Sequence, residues 1–172
     1  MARISEKTSL KGRLVFRVIR DGKVIHEARD NLIVTTGRNT LAKLLGGQTG
    51  MHVTKFGVGV NDDPADASDT DLTGMTTIDP DTQEEVVNPP VKVNISETRI
   101  GTNLEAEDGT TFSDPKVVQF HFVLGTSAAV GMDISEYGLF CADGSLFSRV
   151  VRERPFPKTA LDKIVGFWQI TF

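Results

Sequence analysis

From residue 13 to residue 28 the chain alternates apolar and polar positions with a period of two. In RLVFRVIR, Leu14, Phe16 and Val18 fall on one face and Val15, Arg17 and Ile19 on the other. Asp21-Gly22 supplies a two-residue turn and KVIHEA returns, which predicts a β-hairpin. Asn31-Leu32-Ile33-Val34 reads as a short apolar strand. Thr35, Thr36 and Gly37 lead into RNTLAKLLGG, where Leu41, Leu44 and Leu45 recur at helical spacing and Gly46-Gly47 closes the segment. The spacing predicts a helix of about two to three turns, the one helix in the pattern.

Beyond it, VTKFGVGV predicts a strand whose glycines mark close backbone approach or a bulge. NDDPADASDTDLTG is turn chemistry throughout, and Pro89-Pro90 forbids a helix in the poorly apolar stretch that follows. VKVNISETRI alternates again, and TNLEAEDGTTFSDP is a second polar excursion. KVVQFHFVLG alternates with Val118, Phe120, Phe122 and Leu124 facing in and Gln119 and His121 facing out. MDISEYGLF, an Asp143-Gly144 turn and SLFSRVV predict another hairpin. In the closing KIVGFWQITF, Ile164, Trp168, Ile170 and Phe172 share one parity. The sum is seven to nine strands, one short α-helix and two long polar loops. The expected fold is mostly β, an antiparallel β-sandwich or barrel-like domain. Residues 1–172 form a single domain, with 1–29 as an N-terminal hairpin and candidate assembly arm, and 75–115 as a variable acidic excursion.

Composition adds compartment and charge. The only cysteine, Cys141, excludes an internal disulfide and a CxxC metal site. No apolar run approaches the roughly 18 residues of a membrane span, and MARISEKTSLKGR lacks the apolar core of a signal peptide. Folding in a reducing cytoplasm is the expectation. The net charge of −4 hides an asymmetry: residues 61–115 hold fourteen Asp/Glu against two Lys/Arg, and basic residues concentrate towards both ends. Such a chain is suited to pairing the acidic part of one copy with the basic part of another.

Reactive constellations are weak. His26, His52 and His121 show no metal-ligand spacing. The acidic run Asp62, Asp63, Asp66, Asp69 and Asp71 invites calcium, but counted from Asp62 the glycine position is Ala67 and the closing glutamate position is Thr73. Gly57-Val58-Gly59 lacks the helix that would cradle a phosphate. Ser135 and Cys141 have no neighbouring base. Glu105, Glu107 and Asp108, the best candidates for a depolymerase carboxylate pair, read as loop. A saccharide-binding module would use exposed aromatics, and the chain has one Trp and one Tyr. The basic cluster towards the C-terminus lacks interleaved aromatics for nucleic acid, and the pI is near 5.4. No enzyme, cofactor, metal, membrane or specific nucleic-acid partner is expected, and no small-molecule ligand.

The ordered set NLIVTTGRNTLAKLLGG, VTKFGVGVND, DTDLTG, ISEYGLFCADGSLFSRVV, PFPK and VGFWQITF resembles small structural proteins of tailed bacteriophages, including tail-fibre N-terminal modules. The likeness spans residues 30–172 apart from 75–115. It implies a virion protein of the tail, baseplate or collar, assembled in the host bacterial cytoplasm, that attaches a fibre or adapter. Its partners would be itself, as a trimer or ring, and other virion proteins. A capsid decoration (cement) protein is the alternative within the same class, and a carbohydrate-binding module lies further off.

Within this frame the hairpin EYGLFCADGSLFSR carries the candidate contacts. It is apolar on both faces, so it needs cover twice, from its own core and from another sheet or subunit. The expected interface comprises Glu136, Tyr137, Leu139, Phe140, Leu146, Phe147, Arg149, Arg152, Arg154 and Lys158, with the acidic loop Asp62, Asp63, Asp66, Asp69 and Asp71 meeting a neighbour's basic groups. Glu136 is expected to reach Arg149 or Lys158.

Overall fold

The computed structural model describes residues 10–172; residues 1–9 of the candidate arm lie outside the described residues. Along the chain the elements are β1 (Lys11–Arg20), β2 (Lys23–Ile33), α1 (Thr35–Leu45), β3 (Val53–Gly59), β4 (Thr76–Ile78), β5 (Glu85–Val87), β6 (Val91–Ile100), β7 (Leu104–Glu105), β8 (Thr111–Phe112), β9 (Val117–Leu124), β10 (Asp133–Cys141), β11 (Leu146–Pro157) and β12 (Lys163–Thr171). Eight strands, all antiparallel to their neighbours, close into a barrel in the order β1-β12-β9-β6-β3-β10-β11-β2. The mostly-β, barrel-like fold with one short helix is therefore the fold of this chain, and the sandwich is not.

Two boundaries differ from the sequence pattern. Asn31–Ile33 continues β2 rather than forming a strand of its own, because β2 pairs with β1 from Lys23 to Asn31 without interruption. Val91–Ile100 is the strand that its alternation predicts, pairing with β3 through its first half and β9 through its second, so the 75–115 tract is not one continuous excursion. The acidic excursion is thus two insertions, the hairpins β4–β5 and β7–β8, on either side of a wall strand.

The alternation read in β1 holds: Leu14, Phe16 and Val18 are buried in the barrel. They meet Phe56 and Val58 of β3, Phe122 and Leu124 of β9, Tyr137 and Leu139 of β10, and Trp168 and Ile170 of β12. Phe56 sits at the centre. Its ring lies flat on Phe122 with centroids 3.6 Å apart, and Tyr137 and Trp168 approach at 5.9 and 6.4 Å. Aromatic side chains clustered in this way contribute a large share of the apolar area whose burial drives folding.

The helix packs in an unexpected way. It buries Gly37 and Thr40, whereas Leu41 and Leu44 are half-buried and Leu45 is 90% exposed. Gly37 explains the geometry, since a Cβ there would lie 2.1 Å from the carbonyl oxygen of Phe147. The backbone of α1 rests directly on β11, and Thr36 Oγ1 donates to the Leu146 carbonyl. Gly37→Ala is expected to destabilise the protein by about 1–3 kcal/mol through overpacking. That is opposite in sign to the roughly 1 kcal/mol that helix propensity would favour. Urea unfolding of the two proteins checks it.

Barrel closure is uneven. β2 and β11 pair only at Ile33–Ser148 and Leu32–Arg149. Beyond that point side chains close the wall: Arg152 donates to Glu27 and, at 3.3 Å, to the Tyr137 hydroxyl.

Candidate functional site

The outer face of β10 carries Glu136, Gly138 and Phe140, and beside it β3 carries Gly57 and Gly59. A Cβ at Gly57 would fall 2.7 Å from the Phe140 ring, and one at Gly138 would fall 2.9 Å from Leu146 Cδ1 and 3.1 Å from Leu72 Cδ2. These two glycines make a floor on which Leu72, Phe140 and Leu146 lie with Val34 as a second, smaller core. Residues 60–74 form the lid over it.

Glu136 and Arg149 hold that lid. Glu136 is fully buried and Arg149 is 2% exposed. Arg149 Nε donates to Glu136 Oε2 at 2.7 Å and its Nη1 donates to Asp69 at 2.8 Å. The same guanidinium donates to the Asp63 and Pro64 carbonyls. Glu136 Oε1 accepts the Thr73 N–H at 2.6 Å and the Asn61 N–H at 3.3 Å, so one carboxylate gathers both ends of the loop. Asp71 pairs with Lys92 at 2.9 Å, and the Lys92 ammonium lies 3.6 Å from the Phe140 ring centroid. The Ala67 carbonyl accepts the N–H of Thr35, the first residue of α1.

The expected pairing of Glu136 with Arg149 is present, and Lys158 is not part of it. The hairpin as a contact surface needs correction. Tyr137, Leu139 and Phe147 pack with the barrel core, while Phe140 and Leu146 face outward beneath Leu72. Glu136 and Arg149 are internal, Arg152 closes the β2–β11 seam, and Arg154 alone of the set is exposed. The second cover that the two-faced hairpin requires comes from the chain's own loop and α1. In the acidic run, Asp62 is exposed and Asp66 accepts hydrogen bonds from the Ser68 N–H and hydroxyl. Asp63, Asp69 and Asp71 spend their carbonyl or carboxylate oxygens on Arg149 and Lys92.

Lys158 is buried elsewhere, donating to the Thr126 and Thr159 carbonyls at 3.1 and 3.0 Å, and burial lowers its pKa. Nearby Asp162 is fully buried. The Arg20 guanidinium, donating at 2.7 Å, holds its carboxyl well below the usual carboxylate range against the opposing push of burial, with the Thr159 N–H and hydroxyl adding two more bonds.

The other carboxylates considered for chemistry also serve structure. Glu107 pairs with Arg13, Glu105 with Arg17 at 3.8 Å, and Asp108 accepts from Thr110. The two ion pairs tie the β7–β8 hairpin down over Gln119. That residue points out of the barrel, as its parity predicts, yet is fully buried, exchanging hydrogen bonds with the Glu105 backbone at 2.8 and 2.7 Å. Trp168 and Tyr137, the aromatics a saccharide platform would need, are fully buried.

What the pattern missed are two exposed apolar clusters at opposite ends of the barrel. At the α1 end, a cavity of about 220 Å³ between Leu41, Leu44, Ile100, Phe120 and Ile170 opens into a groove bounded by Leu10, Leu45 and Phe172. Leu45, Ile100 and Phe172 are the exposed members. Beyond Gly59, where β3 ends and β6 begins, the β4–β5 hairpin exposes Ile78, Val86 and Val87. The leucine stripe of α1 was visible in the sequence; that the helix would bury Gly37 and Thr40 instead was not. No known protein family, curated protein or solved structure matches this chain.

Arg149→Met is expected to cost about 3–5 kcal/mol, because it leaves Glu136 buried without its partner. Limited proteolysis should then cut within residues 60–74 well before the barrel. The stabilisation from Asp162 is full above its unfolded pKa of about 4 and is lost as pH falls below that value. Asp162→Asn should therefore lower Tm near neutral pH and flatten the loss of Tm on acidification, measured from pH 7 to pH 2.

Proposed function

We propose that this chain is a non-catalytic structural protein of a tailed-bacteriophage virion, in the tail, baseplate or collar, attaching a fibre or adapter through symmetric protein–protein contacts. The observation that carries the reading is the pair of exposed apolar clusters at the two barrel ends. Leu45 and Ile100 at one end are 90% and 71% exposed, and Val87 at the other is 70% exposed. Large apolar side chains grouped in this way are the usual mark of surfaces that another protein covers. The sequence likeness of residues 30–172 to tail-fibre attachment modules adds support of a different kind.

The titratable groups point the same way. Glu136, Arg149 and Asp162 are spent on holding loops and turns, with their hydrogen-bonding capacity turned inward. They make a rigid body that presents fixed surfaces, which suits attachment.

The test is particle fractionation. Antibody or mass-spectrometric detection of the chain in purified virions, and then in headless tails, is the expected result. Detection on heads alone would replace the tail assignment with the capsid-decoration one. Absence from particles would end the virion reading.

A further inference from the structure

The groove beside α1 and the β4–β5 hairpin complement each other. In the hairpin, Thr76 pairs with Val87 and Ile78 with Glu85, so Ile78, Glu85 and Val87 share one face. Residues 75–90 contain Asp79, Asp81, Glu84 and Glu85 and no basic residue. The hairpin is also preformed. Asp79 accepts the Asp81 and Thr82 N–H groups at the tip, and Asn88 Nδ2 donates to the Met75 carbonyl and Thr77 hydroxyl at the base.

The groove offers the opposite character. Leu41, Leu44, Leu45 and Phe172 give an apolar bed. Around it stand exposed Lys11, next to Leu10; Arg38, one helical turn before Leu41; and Lys116, whose carbonyl accepts the Phe172 N–H. None of the three makes an ion pair among the described residues. Of the carboxylates at this end, Asp30 pairs with Arg13, and Asp114 and Asp143 accept hydrogen bonds from the turns they initiate. A preformed acidic hairpin with an apolar face matches an apolar bed with a basic rim.

We propose that the β4–β5 hairpin of one copy seats in the α1 groove of the next. The inference rests on the reading of this chain as a self-assembling structural protein, and it names the surfaces. Plug and socket lie at opposite ends of one barrel, so a chain cannot fill its own groove, and copies stacked end to end join plug to socket. The contact is heterologous: it propagates head to tail and closes into a ring where the rotation per copy allows.

The experiment uses purified full-length protein and light scattering over a concentration series. The wild type should exceed the 18.7 kDa of one chain. Leu45→Asp and Val87→Asp each should stop at one chain. Both positions are solvent-exposed, so unchanged unfolding midpoints would confirm that the variants fold. An equimolar mixture of the two variants retains one intact groove and one intact hairpin, and should recover a species of two chains and no larger. An isologous interface built on either patch alone predicts no such recovery.

Assembly of either variant like the wild type, or a mixture that stays monomeric, would overturn the proposal. So would an intrachain disulfide between Leu45→Cys and Ile4→Cys in a monomer, which would show residues 1–9 filling the groove. A wild type that is monomeric throughout overturns the docking but leaves the virion assignment to particle fractionation. Absence from particles overturns that assignment and leaves the docking intact.

Discussion

One buried ion pair sets the terms for the β10–β11 side of the molecule. Glu136 and Arg149 stand on adjacent strands, and neither is left with an idle hydrogen-bonding group. Removing two charges from water costs several kcal/mol each, and the pair persists because the loop supplies the remaining partners: two amides to the carboxylate, two carbonyls and a second carboxylate to the guanidinium. The dependence runs both ways. The loop contains little that could bury itself, so without this pair Leu72 is held over the glycine floor only by the Asp71–Lys92 pair and a few backbone hydrogen bonds. Without the loop the outer face of the β10–β11 hairpin would be bare Phe140 and Leu146.

The same logic recurs on a smaller scale around the barrel. Polar insertions are recruited as covers wherever one buried polar group can gather their backbone. Gln119 does this for the β7–β8 hairpin, and Asp162 does it for the turn before β12, with Arg20 as counter-ion. Acidic segments that composition alone reads as solvated loops become part of the wall because each donates a few backbone groups to a buried anchor. Among the described residues the β4–β5 hairpin has no such anchor to the barrel, and its apolar residues stay outside.

Local pattern and long-range placement separate cleanly. Period-two alternation located the strands because burial on one side of a pleated sheet leaves that mark in any topology, as in Leu14, Phe16 and Val18. The Asp21-Gly22 turn was legible for a local reason too, with both residues at positive φ of 48° and 76°. The Glu136–Arg149 pair could be anticipated because hairpin geometry brings those positions together. What alternation cannot encode is what lies above the second face. Gln119 has outward parity and is buried, and the EYGLF strand is apolar on both faces yet covered by its own chain. The α1 stripe misled for a related reason: periodicity marks an apolar face, while the contact was decided by where a glycine lets backbone meet backbone.

The β2–β11 seam gives the barrel a property its other seams lack. A hydrogen-bonded ladder fixes strand separation within a few tenths of an ångström, whereas the seam beyond Leu32 and Arg149 is spanned by Arg152, Glu27 and the Phe156 ring beneath two guanidiniums. Long side chains can change reach without breaking a ladder, so the girth of the barrel is adjustable along this line and nowhere else to the same degree. Volume changes near Phe16 and Tyr137 have an outlet there. Those near the Phe56–Phe122 stack, where hydrogen-bonded pairing joins β3 to β6 and, with a bulge between Ile95 and Glu97, β6 to β9, lack such an outlet. The barrel is a rigid cylinder with an expansion joint.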